Sequence, residues 1–177
     1  MTIAAGPFAV AAVLLAIGGV AKALHPDDTA RALGRVVDRA VPPLAVRVGG
    51  ALEAVLGAAA LALGDRTTAV LVAISFAGFA AFAGVALHRD LPIATCGCFG
   101  RAETPPTVVH VVITVVAAAA GAVVVVEPGV GIGEVVASQP MAGIPFILLA
   151  AIATGATYLS LTTLPKTMAL VREARAA

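Results

Sequence analysis

Long apolar runs separated by short polar stretches dominate this chain. Residues 3–24 are almost uninterrupted in apolar character, and about 20 helical residues suffice to cross a hydrocarbon core. Comparable runs follow at 44–63, 67–87, 107–126 and about 141–164. The run at 107–126 is rich in β-branched residues, which favour strands in water. In lipid, however, every backbone polar group must find its partner within the segment, so a run of this length predicts a spanning helix. The pattern therefore predicts an all-α, polytopic membrane helix bundle of five spans.

The stretch 25–43 has a different rhythm. His25-Pro26-Asp27-Asp28-Thr29 reads as a loop followed by a helix start, with Asp27 or Asp28 as N-cap. Ala30, Leu33, Val36, Val37, Ala40 and Val41 then recur at helical spacing, opposite Arg31, Arg35 and Asp38. This predicts a short amphipathic helix over about 28–41 lying at the membrane surface, closed by Pro42-Pro43. Asp65-Arg66 makes a tight turn, 88–106 is a polar loop, and 127–140 is an acidic, Gly-rich loop. A short basic tail follows the last span. Met1-Thr2-Ile3-Ala4-Ala5-Gly6 has no Lys or Arg, so the first run is expected to be a retained span and not a cleaved signal.

Composition agrees with lipid as the solvent. Only 12% of residues are charged and 60% are hydrophobic, against about 25% charged in soluble domains. Aromatics are 4% with no Trp, which leaves a weak interfacial belt. Ala and Gly are abundant instead, and small residues let helix backbones approach closely in lipid. Gly49-Gly50 and the stretch Gly78 to Gly84 are accordingly expected to pack helices. A net charge of +1 argues against a nucleic-acid partner.

The positions of the charges matter more than their sum. Of the 11 Lys and Arg residues, only Arg66 falls on one side of the predicted map. The others flank the first loop, the 88–106 loop or the tail. The positive-inside rule then predicts an outward N-terminus, with those loops and the C-terminus cytoplasmic.

The chain has two cysteines, in the motif Cys96-Gly97-Cys98-Phe99-Gly100. Thiols separated by one residue can close only a small, strained ring, which is easily opened. Gly97 and Gly100 permit the backbone angles this needs and the approach of a partner thiol. Arg89 and Arg101 are near enough in sequence to favour a thiolate. One reading is a redox dithiol exchanging with another protein. The others are structural loop cysteines or half of a soft-metal site. A metal would want two further ligands, and only His88 and His110 are at hand, at no recognised metal spacing; no metal is assigned.

This motif after a third span resembles the hallmark of the MauE branch of the DoxX-like redox-associated membrane proteins. Lys22 at the end of the first span, His25-Pro26-Asp27 with the short helix after it, and Glu53 in the second span match in position. The resemblance covers about residues 3–126. It implies a four-helix membrane unit in residues 1–126, broadly like vitamin K epoxide reductase, followed in 127–177 by the acidic loop, a fifth span and the tail. It also implies disulfide handling with a thioredoxin-like partner in the inner membrane of a bacterium, as in maturation of a methylamine-oxidising enzyme. With a single cysteine pair the chain would be one station in a relay. A quinone is the cofactor such chemistry would call on; the chain carries no motif that fixes one.

Three further residues are candidates. Glu53 lies near mid-span, where an ionised carboxylate is expensive. It is expected to face the bundle, protonated or paired with Lys22 or a backbone donor, as a proton relay, a ligand contact or a structural hydrogen bond. Lys22 and Arg47, at span ends, read most simply as snorkelling side chains that meet lipid phosphate. His110, within a turn of the Cys-loop end of its span, is a candidate base for a thiol or a contact to a quinone head group. The opposing reading for the whole chain is a non-catalytic membrane subunit whose Cys loop binds a partner or a soft metal. No phosphate-binding loop, hydrolase triad or dinucleotide fingerprint is present.

Overall fold

The structure, a computed structural model, describes residues 4–89, 91, 106–127, 140–163 and 167. It is all helix: α1 (Ala5–Leu24), α2 (Pro26–Val37), α3 (Pro43–Leu63), α4 (Arg66–His88), α5 (Val108–Val126) and α6 (Pro140–Thr162). All except α2 are long and apolar enough to span a membrane, so five spans stand among the described residues. Their large side chains confirm which solvent they meet. Leu52, Val55, Ile74, Val116, Leu149 and Ile152 point outward, each exposed by half or more. Water would penalise these surfaces heavily, whereas lipid tails match them.

Two close antiparallel pairs, α1 with α3 and α4 with α5, form the frame. Glycine decides how near the first pair comes. A Cβ added at Gly57 would meet the Ala12 carbonyl at 2.5 Å, and one at Gly50 the Gly19 carbonyl at 2.7 Å. Only a missing side chain allows such backbone contact. In the second pair, a Cβ on Gly121 would come within 3.0 Å of the Ala73 methyl, a tighter than ordinary fit. The expectation for the other glycines fails: Gly49, Gly78 and Gly84 face nothing within 4 Å. Gly49 and Gly78 instead border an open space between α2, α3 and α4, and hydropathy alone does not distinguish such a face from a packed one.

At one end, Gly64 takes the left-handed conformation (φ 60°) and closes α3. Asp65 then caps α4 by accepting from the Thr68 N–H at 2.9 Å. Arg66 reaches across to the Val125 carbonyl at 2.9 Å, satisfying an orphan group at the end of α5. At the opposite end α1 stops, α3 begins, α4 stops and α5 begins. The connection from α4 to α5 leaves from this end.

The amphipathic helix lies at that same end, but with different bounds. It starts at Pro26 with Asp27 and Asp28 in its first turn, favourable to the helix dipole, and neither is the N-cap. It stops at Val37, where Asp38 turns left-handed (φ 52°) and the Gly34 carbonyl accepts the terminal N–H groups. Ala40 and Val41 therefore lie beyond it. Pro42 and Pro43 open α3, as its N-cap and first helical residue; proline is pre-organised for a helix start as much as barred from an interior. Ala32 and Val36 of α2 pack on Phe82, Ala86 and Leu91, which docks the helix on the end of α4.

Candidate functional site

Lys22, Glu53, His110 and Thr114 lie toward the end where α2 lies, whereas buried Thr68 sits at the opposite end beside the Asp65 cap. Lys22 is in the last turns of α1, and a helical Cα–Cβ bond leans toward the N-terminus. Its stem therefore runs back into the bundle and does not reach the membrane surface. The residue is only 5% exposed, which corrects the expectation that it snorkels. Its ammonium forms an ion pair with the Glu53 carboxylate, whose side chain retains 22% exposure. The same ammonium lies 4.0 Å from the centre of the Phe79 ring. Phe76 holds that ring edge-on, with centroids 5.6 Å apart and planes at 87°. Three spanning helices thus meet at one charge.

Gly50 makes the meeting feasible. A Cβ there would sit 2.9 Å from Cβ of Lys22, so any larger residue would push α3 away and part the charges. Arg47, one turn toward the start of α3 from Gly50, is exposed.

His110 is at the start of α5 and 1% exposed. Its Nδ1 accepts the Thr107 N–H at 3.2 Å, while the Thr107 hydroxyl reciprocates toward the His110 N–H as a capping box. Because Nδ1 is the acceptor, the ring proton belongs on Nε2. That atom is buried without a hydrogen-bond partner among the described residues.

Two cavities flank Lys22. One, of about 380 Å³, opens between α2, α3 and α4; Lys22, Glu53, Ser75, Phe79 and Phe82 stand around it, and Gly49 and Gly78 leave it room. It has the size and the mostly apolar lining of a small-molecule site with a few convergent polar groups. The other, of about 30 Å³, lies between Lys22, Phe76, Phe79, His110, Thr114 and Leu161. Lys22 and Phe79 line both.

Sequence reasoning singled out Lys22, Glu53 and His110, and the structure brings Lys22 and Glu53 into contact and His110 to the same small cavity. It missed Phe79 and Thr107. A Thr just before an apolar run is a readable cap signal, whereas nothing separates Phe79 from other apolar residues. Cys96, Gly97, Cys98, Phe99, Gly100 and Arg101 lie outside the described residues. Among the described residues no cluster of metal-ligating side chains occurs.

A bundle of spanning helices with its ion pair buried near one end, beneath an amphipathic helix, defines an integral membrane protein in contact with lipid. Residues 1–127 match the family described as methylamine utilisation protein MauE, and the chain belongs to that family. The family assignment supports a redox-associated role in the membrane. The match spans α1 to α5, and α6 lies outside it. No curated protein and no solved structure matches the chain.

Proposed function

We propose that this protein is a membrane component of thiol–disulfide exchange, working through Cys96 and Cys98 with a thioredoxin-like partner. In the exchange, a thiolate on one protein attacks the disulfide of the other to give a mixed disulfide. The second thiol then resolves it, so two electrons and two protons pass between the proteins. A quinone in the cavity beneath α2 would close the cycle, taking two electrons and two protons from the dithiol to become the quinol. Maturation of a methylamine-oxidising enzyme is the process this chemistry would serve, a reading supported only by a family description that names methylamine utilisation.

The observation that carries this reading is the clustering at one end of the bundle. The connection bearing the cysteines starts and finishes at the end where Lys22, Glu53, Phe79 and the 380 Å³ cavity lie. Lys22 and Glu53 are placed to meet the polar head of a ligand whose apolar part fits the cavity. The positive charge on the first loop supports a cytoplasmic position for this end, in the bacterial inner membrane.

The test is to trap the intermediate. Cys96→Ser and Cys98→Ser, each expressed with a thioredoxin-fold partner lacking its resolving thiol, should show which cysteine attacks. One variant should give a covalent adduct that dithiothreitol dissolves. Adducts from neither, with partner assembly and activity intact in the double variant, would favour a scaffold without thiol chemistry.

A further inference from the structure

The last span is held on the bundle by one narrow stripe. α6 rests chiefly on α1 and little on α5. Among its described residues, Gly143, Thr154 and Leu161 are buried, and their spacing is close to whole helical turns, so they share one line of contact. Beside that line, Ala150, Ala153 and Thr157 border a cavity of about 610 Å³, closed on its other sides by residues of α1 and α5 such as Leu14, Val112 and Val116. Ala153 stays exposed, and so do Val112 at 53% and Val116 at 56%. Small residues on a span normally let two backbones close up; here alanines face valines and the helices stay apart. Protein interiors are close-packed, so a space of this size between spans is filled by something.

We propose that this groove holds one acyl chain of a membrane phospholipid, which wedges α6 against α1 and α5. Its length fits. The groove follows α6 from Phe146 to Ser160, about 21 Å at 1.5 Å per residue, whereas one leaflet of the hydrocarbon core is about 15 Å deep. Its size fits as well: an apolar cavity of about 150 Å³ stays dry and takes up benzene, and this one is about four times as large.

The walls select among occupants. They are almost wholly apolar. Thr157 and Ser160, the hydroxyls that line the groove, each donate to a carbonyl of their own helix at 2.8 Å. No side-chain donor among the described wall residues is left for a carbonyl-bearing head group such as a quinone's. Water would forfeit hydrogen bonds there, and an acyl chain asks for none. The bilayer around the exposed Leu149 and Ile152 supplies such chains. The lipid thus completes the packing of α6, the span that lies outside the family match.

The experiment compares the full-length wild type with Ala153→Phe, whose ring enters the groove, and Ile152→Phe. Ile152 is 68% exposed and does not line the groove, so the second variant is the control. Native mass spectrometry from mild detergent should show a retained phospholipid on the wild type and on Ile152→Phe, lost in Ala153→Phe. Stripping lipid with excess detergent should lower the melting temperature of the wild type and leave that of Ala153→Phe unchanged, because the ring already fills the space. Equal retention in all three, a retained adduct with the mass of a prenylated quinone, or a lipid-free dimer would overturn the proposal. Should Ala153→Phe fail to fold, a phospholipid with a photoreactive acyl chain decides on the wild type. Crosslinks at Val116 and Ala153 are expected, and crosslinks confined to outward residues such as Ile74 and Ile152 would overturn it.

Discussion

The Lys22 ammonium lies 4.0 Å from the centre of the Phe79 ring. A cation over an aromatic face is worth about 2 kcal/mol or more once it is desolvated, and the contact fixes the angle at which Lys22 presents its charge to Glu53. The ring therefore positions the ion pair. Phe79→Leu should lower the thermal stability of the purified protein by a few degrees and weaken any ligand held near Glu53. Phe79→Tyr, which keeps the face, should retain both. A melting series in detergent checks this.

The ion pair itself makes a sharper prediction. Removing one member of a buried pair strands the other, at a cost of roughly 3–5 kcal/mol. Lys22→Met and Glu53→Leu should each destabilise the protein strongly. The double variant should recover much of the loss, because no charge is left stranded. Equal and additive losses would mean that the two side chains act separately.

Glycine offers a contrast within a single dipeptide. Gly50→Val should part α1 from α3 and prevent accumulation of folded protein. Gly49→Val should be tolerated, because nothing lies within 4 Å of its added Cβ. Gly78→Leu should likewise fold, yet fill part of the 380 Å³ cavity. Binding of a soluble quinone analogue, measured by calorimetry, should then fall while the melting temperature holds.

The exposed Asp65 cap gives a pH dependence. Its hydrogen bonds from the Thr68 hydroxyl and backbone hold the carboxyl below the ordinary value of 3.8. A carboxylate depressed in the folded state adds stability above its unfolded pKa, and the gain fades as pH falls through the lower folded value. Asp65→Ala should therefore be less stable than wild type at neutral pH, and the gap should close below about pH 3–4. Melting both proteins across that range tests it.

Much of the fold was legible because lipid imposes one rule on every span. Residues 44–63 and 67–87 fall within one residue of α3 and α4. The ends of α2 were not, because Pro42-Pro43 can stop one helix or start the next, and only the left-handed Asp38 settles which. Glu53 was legible as a bundle-facing carboxylate with Lys22 among its partners. The burial of Lys22 was not, because the direction of a side chain at a helix end depends on what packs beside it. His110 gave no sign of its orphan nitrogen, which depends on the ring's tautomer and hence on Thr107.

The proposed function requires Cys96 and Cys98 to work as a redox dithiol. Its most direct measurement is thiol trapping of the full chain in native membranes, poised with glutathione across a wide range of potentials. A redox dithiol should show a two-electron transition, in which both thiols gain or lose label together at one midpoint. Labelling that stays constant across the whole range would contradict it.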